Sequence, residues 1–155
     1  MKKIIFLGML IASCLGGCNP NDEPISSVLQ LEKDIEAIQT YLDENSIVAQ
    51  KHESGVFYVI NRQGTGVFPD KYSNVTVNYK GNIIGETEFF DEGNNTSFSL
   101  LGVVVGWQIG IPLISEGGSI TLYIPSGYAY GTRGSPGSIP ANANLKFQVD
   151  LLDVL

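Results

Sequence analysis

The sequence predicts an α+β fold: a β-rich body preceded by one helix, with room inside the body for one more short helix. Three observations lead there. Charged residues are only 16% of the chain and glycine supplies 18 of its 155 residues. With many β-branched side chains, that composition favours sheet. Between residues 27 and 45 apolar side chains recur at spacings of three and four, the period of one helix face. From Val56 onward the period changes to two, the alternation of strands. The length suits one domain with a short appendix.

The first residues read as a lipoprotein signal peptide, residues 1–17. Lys2 and Lys3 precede a short apolar run from Ile4 to Ala12, too short for the ~20 residues of a spanning helix. Leu15-Gly16-Gly17-Cys18 has the form of a lipobox, in which Cys18 is lipidated and becomes the mature N-terminus. Ile11-Ala12-Ser13-Cys14 is a competing candidate. Cys18 is preferred because the chain turns polar only after it. An ordinary secretory signal with incidental cysteines is the alternative. Both cysteines lie here, and a disulfide inside a cleaved leader would staple nothing. Residues 18–24 are polar and acidic with two prolines, and read as a flexible tether.

Residues 25–50 form an N-terminal helical segment. Val28, Leu31, Ile35, Ile38 and Leu42 make one apolar stripe, and Ser27 with Gln30 is a capping-box start. Glu32, Lys33, Asp34 and Glu36 are assigned to the polar face. The stripe is expected to pack on the chain's own body, being short for a coiled coil. The segment is expected to be an appendix, so that its removal leaves the body, residues 51–155, folded. In that body the strands are placed at residues 56–60, 75–80, 119–124 and 145–154. A loop is placed at residues 91–97 between Phe89-Phe90 and Phe98-Ser99-Leu100. One short helix is placed at residues 107–114, limited by Pro112. Residues 125–144 form a long loop rich in Gly, Pro, Ser and Ala, and loops of that length in compact domains are usually functional.

Charge and residue inventory exclude several functions. A net charge of −7 makes the chain a poor partner for nucleic acid and for anionic lipid held by charge alone. His52 is the only histidine, so Ser-His-Asp and Cys-His catalysis lack a candidate. The carboxylates form no glycosidase-like pair. Asp91, Glu92, Asn94 and Asn95 fit a calcium loop poorly, and no metal is expected.

The last third carries the chemistry. It holds Val104-Val105-Gly106-Trp107 with the only Trp, then Pro125-Ser126-Gly127-Tyr128-Ala129-Tyr130-Gly131, Ile139-Pro140 and Leu145-Lys146-Phe147. Together with Val75-Thr76-Val77-Asn78-Tyr79-Lys80-Gly81 and Phe89-Phe90-Asp91, these segments run in the order and spacing of a known family. Residues 56–155 resemble the FKBP-type peptidyl-prolyl isomerase domain. The resemblance implies a strongly bent antiparallel sheet wrapped on the short helix. It implies Tyr79, Asp91, Trp107 and Tyr130 as catalytic residues, with Trp107 as the floor. Phe90, Phe98, Val103, Val104, Ile139 and Phe147 are implied as substrate-binding walls. No cofactor is implied. Departures from the family are Ser135 where His is common, Ser138 at an apolar wall position, Val105 in place of Pro, and no Arg after Asp91.

The residue types suit that reaction. Rotation about X–Pro meets a barrier of about 18–20 kcal/mol from amide resonance and takes tens of seconds uncatalysed. The twisted transition state has less charge separation than the planar amide, so a dry aromatic pocket favours it. Hydroxyl and backbone donors, Tyr130 and the Val104 N–H, would orient substrate carbonyls. The expected function is a lipid-anchored isomerase in the bacterial envelope, with proline-containing protein segments and the bilayer as partners. The alternatives are a non-catalytic proline-peptide-binding or chaperone-like surface lipoprotein, and a plain structural spacer.

Overall fold

The computed structural model describes residues 22–155, with side chains from Ser26 onward. The leader, Cys14 and Cys18 lie outside the described residues. The chain forms helix α1 (Asp22–Glu44), strand β1 (Gln50–Lys51), β2 (Phe57–Arg62), β3 (Asn74–Ile83) and β4 (Phe89–Ser99). Helix α2 (Val105–Gly110), β5 (Ser119–Ile124) and β6 (Leu145–Val154) follow. The six strands make one antiparallel sheet in the order β1-β2-β5-β6-β3-β4. Register shifts at Ile60/Arg62 in β2, at Thr76/Val77, Val77/Tyr79 and Gly81/Asn82 in β3 add local bend and twist.

The central strands are apolar on both faces, and each face has its own core. Along β2 and β5, Tyr58, Ile60, Ile120, Leu122 and Ile124 face α2, within a large cluster that includes Trp107, Ile111 and Phe147. The alternate residues Phe57, Val59 and Tyr123 join Ile38 and Leu42 of α1 in a second cluster. This is the two-fold alternation of side chains along a strand. Ile38, Leu42, Phe57 and Tyr123 are all buried, so α1 packs on the body as its stripe predicts and covers one face of the sheet as a layer. Asp34 is corrected: assigned to the polar face, it is 3% exposed. It sits one turn before Ile38 and two before Leu42, in line with the stripe. The stripe itself thins out at its start, where Val28 is 56% exposed.

α1 begins at Asp22, inside the stretch read as tether, and Pro24 falls in its first turn, where no amide donor is required. Ser27 therefore lies inside the helix and not at its start. The helix closes with Ile47 N–H donating to the Leu42 carbonyl at 2.8 Å and Ser46 at φ 54°, the pattern of a left-handed C-terminal cap.

Residues 91–97, read as a loop, are the middle of β4. They pair with β3 through Lys80↔Glu92, Tyr79↔Gly93 and Val77↔Thr96. β4 is an edge strand with mostly exposed side chains, so backbone pairing holds it and no apolar alternation marks it. The short helix starts two residues earlier than expected and passes at Ile111 into a 3-10 turn containing Pro112. It lies close on the sheet because Gly106 and Gly110 face it. A side chain at Gly106 would run into Ile124, and one at Gly110 into Leu122. That close approach sets the depth of Trp107 between them.

Candidate active site

Trp107 (3% exposed) is the centre of an aromatic box. Three rings meet its indole edge-on: Tyr79 at 5.3 Å between centroids and 82°, Phe147 at 5.3 Å and 86°, and Phe98 at 5.6 Å and 87°. Such T-shaped contacts suit the ring quadrupoles and add about 0.5–1.5 kcal/mol each beyond area burial. Each ring comes from a different element. Tyr79 is on β3, Phe98 on β4, Trp107 on α2 and Phe147 on β6. Over the box lies an open cavity of about 300 Å³. Tyr79, Asp91, Phe98, Val103, Val104, Trp107, Tyr130 and Phe147 all line it, so eight of the ten expected site residues share one cavity.

The other two stand beside it. Phe90 packs edge-on against Phe147 at 5.6 Å and lines a neighbouring cleft with Glu86, Glu88 and Ser138. Ile139 is buried in the main core. Its backbone closes a tight turn with Ser135, Ser135 N–H donating to the Ile139 carbonyl at 2.8 Å and Ile139 N–H to the Ser135 carbonyl at 2.9 Å. Gly102 lines the cavity as well and carried no signal of its own in the sequence. Gln108 fixes the adjoining turn, its Nε2 donating to the Val103 carbonyl at 2.9 Å.

The polar groups of the cavity are donors and one acceptor. The Tyr79 hydroxyl donates to Asp91 Oδ2 at 2.9 Å, which holds the ring upright against Trp107. The Tyr130 hydroxyl belongs to a half-exposed side chain at the rim. Val104 is the N-cap of α2, and a helix's first amide groups have no intrahelical acceptor. The buried indole N–H of Trp107 has no hydrogen-bond partner among the described residues. His52 takes no part: its Nδ1 is bonded within a turn, 2.9 Å from Ser54 Oγ. The titratable groups lining the cavity are Tyr79, Asp91 and Tyr130.

Both phenols are held in their neutral, donating form. Burial, then the hydrogen bond to Asp91, then its charge push the Tyr79 hydroxyl up to about 12. Burial and the charge of Asp91 raise Tyr130 above the ordinary tyrosine value. The folded chain thus binds these protons more tightly than the unfolded chain, where tyrosine titrates near 10. Their contribution to stability is complete below about pH 10 and is lost as pH rises from about 10 toward 12. Urea unfolding at pH 9 and pH 11 checks this. The midpoint is expected to drop at pH 11, and Tyr79→Phe is expected to lessen the drop.

A pocket of upright rings on a bent antiparallel sheet, with hydroxyl donors and its one carboxylate bonded to Tyr79, defines a class. The family model for FKBP-type peptidyl-prolyl cis-trans isomerases matches residues 66–152, more than half of the chain, and the chain belongs to that family. Among its relatives is the FKBP-type peptidyl-prolyl cis-trans isomerase FkpA of Escherichia coli K12, 44% identical over 104 residues. That match covers 65% of this chain and 38% of FkpA. The FkpA of Buchnera aphidicola subsp. Baizongia pistaciae is 40% identical over 109 residues, 68% of this chain and 43% of that one. The crystal structure of Escherichia coli FkpA superposes with a TM-score of 0.69 at 37% identity, over 84% of this chain and 65% of that one. A crystal structure of a Pseudomonas syringae pv. tomato peptidyl-prolyl isomerase gives 0.70 at 27% identity, over 79% and 94%. The chain spans less than half the length of these FkpA relatives.

Proposed function

We propose that the chain catalyses cis-trans isomerisation of X–Pro bonds. The observation that carries this is the box around Trp107, a flat apolar face framed by upright rings with neutral hydroxyl donors at hand. A pyrrolidine ring laid on Trp107 leaves water behind. The planar amide, with its charge separation, loses more solvation there than the twisted form, so the barrier falls. Tyr130 donates to a substrate carbonyl and favours one geometry of the twisted bond. Asp91 acts through Tyr79, which it orients. No proton is transferred, in keeping with a cavity that contains no histidine or lysine. Turnover of a short X–Pro peptide in a protease-coupled assay tests the proposal. Peptide binding without turnover would leave a proline-peptide-binding module in its place.

The proposed setting is the bacterial envelope, with the protein held to a membrane, the outer membrane foremost, by lipid on Cys18. The leader pattern Lys2-Lys3, the apolar run and Leu15-Gly16-Gly17-Cys18 support this reading. A single acyl chain gives only marginal membrane attachment, so a multi-chain anchor is required. Cys18→Ser is expected to abolish lipid labelling and Cys14→Ser to leave it intact. Labelling lost with Cys14→Ser alone would move the anchor to Cys14. The proposed clients are proline-containing segments of envelope proteins.

A further inference from the structure

Asp34 is buried in a place where nothing in the isomerase chemistry requires a carboxylate. Its Oδ2 accepts from the Ser126 backbone N–H at 2.9 Å and from the Ser126 hydroxyl at 2.6 Å. Its Oδ1 accepts from Gln30 Nε2 at 2.7 Å. Ser126 is itself 1% exposed, and its N–H is shared with Asn144 Oδ1 at 3.0 Å. Ser126 and Asn144 stand at the two ends of the long loop, residues 125–144, that carries Tyr130. A carboxylate bonded so deeply is costly to bury unless it is fully satisfied, and here its partners fix the base of that loop.

The connection onward to Tyr130 is short. The Ser126 carbonyl accepts from Ala129 N–H at 3.0 Å and from Gly131 N–H at 2.8 Å, the two amides that flank Tyr130. Gly131 in turn accepts from Asn142 N–H at 2.8 Å. One residue thus receives the helix on its donor side and holds the tyrosine segment on its acceptor side.

We infer that Asp34 is a positioning residue of the isomerase site: through Ser126 it sets where the Tyr130 hydroxyl stands over the cavity, so that α1 works as a clasp on the active-site loop. The inference rests on the isomerase reading of that cavity. A hydroxyl displaced by about 1 Å loses much of its value to a reaction governed by orientation.

The test uses the full-length chain with Asp34→Ala, Asp34→Asn and Ser126→Ala, each also combined with Tyr130→Phe. Asp34→Ala is expected to lower kcat/KM for an X–Pro peptide about tenfold, and Asp34→Asn, which keeps an acceptor, to recover most of that loss. In the Tyr130→Phe background the further effect of Asp34→Ala is expected to fall below about twofold, because the group it positions is already gone. Equal losses in both backgrounds would show a general structural role and overturn the inference. Ser126→Ala, a milder change, carries the same double-mutant comparison if Asp34→Ala does not fold. Amide hydrogen exchange gives a readout free of activity. Faster exchange at Ala129 and Gly131 in Asp34→Ala, or in Ser126→Ala if Asp34→Ala does not fold, supports the clasp, and unchanged exchange there overturns it. If the wild-type chain shows no turnover, the isomerase reading fails on its own, and exchange at those two amides still decides whether the helix holds the loop.

Discussion

Replacing Trp107 with alanine is expected to destabilise the chain by about 3–5 kcal/mol, the usual cost of removing a buried aromatic ring. Tyr79, Phe98 and Phe147 would lose the partner against which all three stand edge-on. The same change removes the face on which a proline ring would rest. Binding of a Pro-containing peptide is expected to weaken roughly 30-fold or more, as for a central aromatic anchor. Thermal unfolding followed by circular dichroism and peptide titration by calorimetry measure the two effects separately. Neither depends on the fluorescence of the chain's only tryptophan. Trp107→Ala with near-native stability and unchanged peptide affinity would place the binding surface elsewhere.

Removing α1, by deleting residues 19–45, is expected to have an effect of similar size on stability. Phe57 and Tyr123, now 2% exposed each, would face water, at about 1.5–3 kcal/mol for each side chain. Together this is a large share of the ~5–15 kcal/mol that holds a typical domain. The unfolding midpoint is expected to fall by roughly 10–25 °C. The near-UV circular dichroism of Tyr123, which packs against Tyr41 at 6.2 Å, is expected to weaken. A truncated chain with an unchanged midpoint would leave α1 an appendix.

The sheet was legible wherever a strand had one apolar face. β5 and β6 were located at their full extent, and the long loop between them was found from its glycines and prolines. β4 was not legible, because its middle, residues 91–97, is polar throughout and has no hydrophobic period to read. The packing of α1 on the body was read from its stripe, but not how completely it covers the second face of the sheet. The overlooked signal was in the body: Phe57-Tyr58-Val59-Ile60 and Leu122-Tyr123-Ile124 are apolar at every position, which requires a cover on both faces of the sheet. The site was legible to the extent that its residues sit in motif segments, as Trp107, Tyr79-Lys80-Gly81 and Tyr128-Ala129-Tyr130-Gly131 do. The support behind them was not. Asp34 lies 92 positions from Ser126, and no local pattern links a helix carboxylate to a distant loop amide. An aspartate in line with Ile38 and Leu42 was the only hint.

Catalysis by orientation and desolvation, without proton transfer, is the central claim. It is tested most directly by the rate of X–Pro isomerisation by the purified chain as a function of pH. Tyr79 and Tyr130 are both raised above the ordinary tyrosine value, so their hydroxyls remain donors throughout the neutral range. A catalysed rate that is flat between pH 6 and 9 is therefore the predicted result. A bell-shaped profile with a limb near neutrality would require a titrating acid or base and would contradict it.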